Sequence, residues 1–199
     1  MNRNREYRTM ALTIPQAVEE EKRYMVEGYA STFDPYVLMT IDGVDYSERI
    51  EPTAFDDADL SDVVFRVDHE GPVYARTSAG TVKLWTDDHG LAQETDLSRT
   101  EKARGLHEDI EAGNYPKMSF AFTVAEDSYD SETHTRIIHR IAKVYDVSPV
   151  SFPANPGTEL SVSTRSYFDG VIEAEKAERL EREKRERQKQ IIRILTEAF

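Results

Sequence analysis

The stretch MSFAFTV, residues 118–124, has the strict alternation of a half-buried β-strand. One face would carry the large apolar side chains Met118, Phe120, Phe122 and Val124. The opposite face would carry only small residues, namely Ser119, Ala121 and Thr123. A small-residue face leaves room for a substrate backbone or for another strand. The pattern therefore predicts a core strand and makes Ser119 a candidate nucleophile, although a serine in a strand is more often a simple small residue.

Other short apolar runs up to about residue 168 are rich in Val, Ile, Thr and aromatic residues, which is typical of strands. They read VEGYASTF, VVFRVDH, TVKLW, GLAQETDL and RIIHRIAKVYDVSPVSF. TDDHG predicts a hairpin turn with Gly90 at positive φ, and SYDSETHT predicts a second turn. The segment from Leu97 to Gly113 interrupts this pattern with helix formers. We expect Ser98 to be its N-cap and Gly113 its C-terminal stop. The fold class predicted is mainly β.

The C-terminal segment, residues 169–199, differs sharply in composition. It has no proline, and oppositely charged residues recur four positions apart, as in Glu178–Arg182 and Glu181–Arg185. This pattern predicts a long solvated helix that ends in an apolar IIRIL. We therefore expect two domains, a β domain at 1–168 and a charged helical tail at 169–199.

The charge balance argues against several functions. The net charge is −13, and residues 169–199 carry eight acidic and eight basic residues, so the whole excess lies on residues 1–168. An acidic surface repels nucleic acid and anionic lipid. No apolar run is long enough to span a bilayer, and no secretory signal is expected at the N-terminus. The sequence thus predicts no nucleic-acid partner and no membrane association.

The sequence gives little support for a metal site or for thiol chemistry. The chain has no cysteine, which excludes disulfides and a cysteine nucleophile. Its five histidines show no metal-binding spacing. We therefore expect neither a metal nor another cofactor.

His69 and Asp146 are the residues that could activate a serine. In VVFRVDHEGPV, alternation places His69 at the buried end of a strand that Gly71–Pro72 then interrupts; on spacing alone, a structural role is the more frequent one. Asp146 lies inside the apolar VYDVSPVSF, where a carboxylate is costly unless it is paired. Pairing with an arginine is one solution, and orienting a histidine base is another.

Taken in order, these segments resemble the prohead (capsid maturation) serine proteases of tailed phages, distant relatives of the herpesvirus assemblins. The resemblance covers roughly residues 26–160. It rests on VEGYASTFD, ERIEPTAFDDA, the block from VDHEGPV to GLAQETDL, MSFAFTV, and VYDVSPVSFPANPGTEL. It implies an assemblin-like β-barrel with flanking helices.

The resemblance also implies site residues, with Ser119 as nucleophile and His69 as general base. Asp146 stands where family members often have glutamate, one methylene longer, and is the expected third member. The herpesvirus relatives use a second histidine instead, which makes His139 the alternative.

The function implied is that of a serine endopeptidase that cleaves scaffold and capsid proteins, and itself, inside the prohead in the host cytoplasm. The partners implied are the major capsid protein with its scaffold segment, the portal, and a second copy in a homodimer. The tail would be a tether or a self-processed segment. Two alternatives are an inactive scaffold or assembly protein that keeps the protease fold, and an esterase that uses the same residues.

Overall fold

The computed structural model describes residues 5–11, 24–151 and 162–197. The chain divides into two compact units, Met1–Ser161 and Val162–Phe199. The first unit is built mostly of strands with one α-helix, which confirms the mainly-β prediction. No helix in the described ranges has the length and hydropathy of a membrane span.

The strands of the first unit form two sheets. The larger contains β1 (Glu6–Ala11), β3 (Tyr36–Ile41), β4 (Val44–Ile50), β5 (Val64–Val67), β6 (Glu70–Arg76), β9 (Lys117–Asp130) and β10 (Thr135–Val150). The smaller contains β2 (Met25–Thr32), β7 (Val82–Thr86) and β8 (Gly90–Asp96) in the order β2–β8–β7. Short 3-10 helices lie at Pro52–Phe55 and Thr77–Ala79, and the helix α1 spans Glu101–Glu111.

The predicted barrel is wrong as to closure, because neither sheet closes on itself among the described residues. The reason lies in β10, which is 16 residues long. Its first part pairs in parallel with β4 and its last part with β5, while β9 runs antiparallel along its other side. The larger sheet consequently branches at β10 and ends at β3 on one arm and β6 on the other.

The core lies on the large-residue face of β9. Met118, Phe120 and Phe122 are fully buried in one apolar cluster, to which both sheets and α1 contribute. The rings of Phe120 and Phe122 stack with their centroids 4.5 Å apart. Ser119 and Ala121 are also buried but lie outside that cluster. The predicted division of β9 into a large apolar face and a small-residue face is confirmed.

The start of α1 differs from the prediction. Thr100, not Ser98, is the N-cap, because its hydroxyl accepts the backbone N–H of Ala103 at 3.1 Å. The N–H and hydroxyl of Ser98 instead donate to Asp96. The predicted stop is confirmed, since Gly113 follows the helix with φ of 82°.

Gly90 is needed for space rather than for positive φ. It is the first residue of β8, and a Cβ built on it would lie 1.9 Å from the carbonyl oxygen of Ser31. The turn before it is held by the Asp87 carboxylate, which accepts the backbone N–H groups of His89 and Gly90.

The second unit is a single helix, α2 (Val162–Glu197). The boundary predicted at 168/169 falls inside this helix. Its ion pairs Glu181–Lys184 and Glu186–Lys189 are three residues apart and exposed; pairs of this kind stabilise a helix by only a few tenths of a kcal/mol.

A buried charge cluster lies on β1, β4 and β10, and the sequence did not reveal it. Arg8 donates to both Glu6 and Glu48, and Arg136 donates to the same two carboxylates. All four residues are less than a tenth exposed. Burial raises the pKa of Glu6, but the two guanidinium groups outweigh it and hold that pKa below the ordinary glutamate value.

Candidate active site

His69 lies in a tight turn rather than at the end of a strand. β5 ends at Val67, β6 begins at Glu70, and these two residues pair across the hairpin. The two turn residues, Asp68 and His69, have φ of 47° and 60°. Two-residue hairpin loops with positive φ at both positions match the twist of the flanking strands. Asp and His are among the non-glycine residues that most often adopt this conformation.

The predicted interruption at Gly71–Pro72 is wrong, because both residues lie within β6. Among the described strands β6 pairs only with β5. Proline is tolerated on such an edge, where its missing N–H removes no ladder hydrogen bond.

Asp68 ties the turn to the end of β10. Its backbone N–H donates to the carbonyl of Pro149 at 3.1 Å. Its carboxylate accepts the backbone N–H and the hydroxyl of Ser151, each at 2.9 Å. Left-handed backbone at a non-glycine residue costs of order 1 kcal/mol and persists only where surrounding contacts determine it. These three hydrogen bonds supply such contacts.

Ser119 meets His69 over the small-residue face of β9. Its Oγ lies 2.7 Å from Nε2 of His69. Thr9 of β1 and Ser148 of β10 are its neighbours in register on the two sides. Ser119 is 1% exposed, so the hydroxyl is held between two paired strands and bulk water does not compete for its hydrogen bond.

Asp146 meets the other nitrogen of the same imidazole. Its Oδ1 lies 2.5 Å from Nδ1 of His69, and the residue is 1% exposed. The shorter aspartate reaches the histidine because β10 is in parallel register with β5, with Asp146 opposite Val64. The hairpin that carries His69 therefore starts beside the carboxylate.

His139, the alternative third member, is placed elsewhere. Its Nδ1 lies 2.9 Å from Glu51 and its Nε2 2.7 Å from the hydroxyl of Ser128. It occupies the earlier part of β10, where that strand lies beside β4 and the chain that follows it. The structure thus brings Asp146, not His139, to His69.

Ser128, His139 and Glu51 form a second serine–histidine–carboxylate arrangement. Ser128 is exposed, and the side chains of His139 and Glu51 are each one-third exposed. Glu51 also faces a guanidinium nitrogen of Arg49 at 3.5 Å. Water can replace these surface hydrogen bonds, so the arrangement provides an internal comparison for the buried one.

The sequence did not indicate the contact between Tyr7 and His69. The two ring centroids are 4.5 Å apart, with the planes inclined at 59°. Tyr7 lies on β1, whose pairing with β9 places it opposite Ala121. Tyr7 thus limits the movement of the imidazole on the side towards β1. Within the described ranges, no group of three or more His, Asp or Glu side chains is placed to hold a metal ion.

Residues 11–170 match the family described as caudovirus prohead serine protease. The chain belongs to this family. The matched residues include β9 and β10, which carry Ser119 and Asp146, and the hairpin that carries His69. The prohead protease assignment therefore covers the whole of this site.

Other comparisons add less to the prohead protease assignment. No curated protein matches this chain significantly. The solved structure of the bacteriophage T4 capsid assembly protease, gp21, is similar at 11% sequence identity and a TM-score of 0.46, over 74% of this chain and 97% of the T4 chain. A TM-score below 0.5 does not establish a common fold, and the assignment therefore rests on the family match.

Proposed function

We propose that this prohead protease family member is an active serine endopeptidase that uses Ser119, His69 and Asp146. The observation that carries the proposal is the unbroken hydrogen-bonded chain from the Ser119 hydroxyl through both nitrogens of His69 to the Asp146 carboxylate. A serine hydroxyl is a weak nucleophile until a base within hydrogen-bond reach accepts its proton. The proposal is supported by the distance of 2.7 Å between the Ser119 hydroxyl and Nε2 of His69, with the Asp146 carboxylate on the other side of the imidazole.

The chemistry proposed is acyl transfer. His69 Nε2 accepts the proton as Ser119 Oγ attacks the scissile carbonyl, and then returns it to the leaving amine. Water attacks the acyl-enzyme in a second round of the same proton transfers. Asp146 accepts the Nδ1–H, which fixes the tautomer, and its charge stabilises the imidazolium that forms.

We further propose the setting that the family suggests. The substrates are the major capsid protein with its scaffold segment, and the enzyme cuts itself as well. The site of action is the inside of the immature capsid in the host cytoplasm. The portal and a second copy of the chain are further candidate partners.

Co-expression with the capsid protein tests activity and substrate together. Cells carrying the capsid gene and the wild-type chain should yield capsid protein of reduced intact mass. The Ser119→Ala chain should leave the capsid protein at full length. Ser128→Ala is the matched control, because it removes the other histidine-bonded serine of the same strand and should leave cleavage unchanged.

The outcomes separate the proposal from its alternatives. Cleavage that survives Ser119→Ala contradicts the nucleophile assignment. Full-length capsid protein with the wild-type chain, together with normal particle assembly, favours an inactive scaffold. Hydrolysis of small esters by Ser119 without any peptide cleavage favours an esterase.

The tail is proposed to tether the enzyme to scaffold or shell. The charges of residues 169–199 balance, and Leu180, Ile191 and Ile192 on α2 are at least half exposed. Removal of residues 169–199 should preserve peptide hydrolysis and abolish incorporation into proheads. Normal incorporation of the shortened chain contradicts the tether, and its activity on free peptide shows that the shortened chain is folded.

A further inference from the structure

A second buried serine touches the carboxylate of the site. Ser148 is 0% exposed, and its hydroxyl donates to Asp146 Oδ1 at 2.7 Å. This is the same oxygen that lies 2.5 Å from Nδ1 of His69. One carboxylate oxygen therefore accepts both the imidazole N–H and the serine O–H.

The other carboxylate oxygen has no such support. Asp146 Oδ2 is buried, and no group in the described part of the chain hydrogen bonds to it. A buried carboxylate without hydrogen bonds is strongly disfavoured relative to water. Within the described residues, the Ser148 hydroxyl is then the one donor besides His69 that stabilises the charge of Asp146 and selects its side-chain conformation.

The position of Ser148 is set by the sheet. It lies two residues after Asp146 on β10, so that both side chains point to the same face. It is also the register partner of Ser119 on β9. Paired neighbours on both sides hold the backbone of β10 here, and the hydroxyl needs little further ordering to reach the carboxylate.

We propose that Ser148 is a positioning residue for the reaction, one that acts through Asp146. This inference rests on the proposed function. The Ser148 hydroxyl holds the Asp146 carboxylate towards His69. It also draws negative charge away from Oδ1, which weakens the electrostatic attraction between that oxygen and the imidazolium.

The kinetic signature follows from that role. Loss of one hydrogen bond to a charged group corresponds to about a tenfold change, so kcat of Ser148→Ala should fall about tenfold with KM nearly unchanged.

The experiment uses the full chain and a synthetic peptide that spans a cut site found by co-expression. Values of kcat and KM are compared for wild type, Ser148→Ala, Ser148→Thr and the control Ser128→Ala. Threonine keeps the hydroxyl donor, so Ser148→Thr should restore most of kcat. A double-mutant cycle adds Asp146→Asn alone and with Ser148→Ala; the second change should cost nothing further once the carboxylate is gone.

Each result is decisive. If Ser119→Ala retains cleavage, the proposed function fails and the inference fails with it. If Ser119→Ala is inactive but Ser148→Ala matches wild type in kcat, only the inference fails. Equal losses from Ser148→Ala in the presence and absence of the Asp146 carboxylate contradict action through Asp146. Should Ser148→Ala unfold at the assay temperature, Ser148→Cys, with similar volume and a weak donor, takes its place in the same comparison.

Discussion

Ser119 and Ser148 are register partners on adjacent antiparallel strands, and their hydroxyls are hydrogen bonded to opposite ends of the His69–Asp146 pair. Three of the four polar groups thus come from two neighbouring strands. The fourth, His69, arrives on a hairpin turn from a distant part of the sequence. From this arrangement we expect some substitutions to change the reaction rate and others to change the stability of the fold.

Serine-directed labelling should distinguish the two serine–histidine arrangements. A fluorophosphonate should modify Ser119 and leave Ser128 unmodified, because activation needs a hydrogen-bonded base. The hydrogen bonds from Ser119 through His69 to Asp146 are shielded from water, whereas water can replace those of the exposed Ser128. Peptide mass mapping locates the adduct. His69→Ala should abolish labelling, whereas His139→Ala should not; an adduct on Ser128 would falsify the distinction.

Asp146→Asn should lower kcat by up to about 10⁴-fold, since an amide favours the wrong imidazole tautomer. The measurement is a single-turnover rate on the cut-site peptide, with the unfolding temperature recorded in parallel. Glu51→Gln is the matched control, because it alters the carboxylate beside His139 in the same way. A comparable loss from Glu51→Gln would mean that the exposed arrangement takes part.

Asp68→Ala should loosen the turn that carries His69. It removes the acceptor for both Ser151 donors, and alanine adopts positive φ less readily than aspartate. We expect kcat to fall at least about tenfold, the change expected from one lost charged hydrogen bond. Asp68→Asn keeps an acceptor oxygen and tolerates the backbone conformation, so it should retain most of the activity. Equal rates for the two variants and wild type would rule out this anchoring role.

Glu6 should make stability depend on pH in the acid range. Its pKa is lowered in the folded protein, so its contribution is complete above the unfolded value of 4.5 and is lost as the pH falls through the folded pKa. Glu6→Gln should cost about 3 kcal/mol near neutrality, since it removes one of the two buried carboxylates that Arg8 and Arg136 share.

Urea unfolding at pH 7, 5 and 3 checks this. The wild type should lose more stability on acidification than Glu6→Gln does. Glu132→Gln, an exposed turn position, is the control and should follow the wild-type curve. Parallel curves for wild type and Glu6→Gln would contradict the assignment.

Gly90→Ala and Gly105→Ala should have opposite effects on stability. A Cβ at position 90 meets the Ser31 carbonyl at 1.9 Å, whereas one at position 105 meets nothing within 4 Å. We expect Gly90→Ala to destabilise by about 1–3 kcal/mol and Gly105→Ala, in an exposed helix turn, to stabilise by about 0.5–1 kcal/mol. Denaturant midpoints measure both, and a neutral Gly90→Ala would mean that β2 and β8 can separate locally.

Local alternation in the sequence predicted the faces of β9 and therefore the side on which Ser119 lies. The same alternation could not predict the turn at Asp68–His69, because it continues from β5 through the two residues at which the chain reverses direction. A signal was present, however: two polar residues that tolerate positive φ stand between two strand patterns.

Long-range pairing was beyond sequence reasoning. Glu6 and Arg136 are 130 positions apart and meet only because β1, β9 and β10 are neighbours in one sheet. Barrel closure was expected from the family resemblance, whereas the described strands branch at β10. Branching depends on which strands pair with the two halves of β10, and no pattern of neighbouring residues in the sequence predicts that pairing.

The branching of the sheet at β10 also determines when the site can exist during synthesis. Ser119 is on a hairpin with β10, and the His69 turn is fastened to Asp146, Pro149 and Ser151 of the same late segment. A nascent chain that stops before β10 holds the serine and the histidine without the strand that joins them. If Ser119, His69 and Asp146 act as proposed, cleavage therefore has to wait until residues up to Ser151 have left the ribosome.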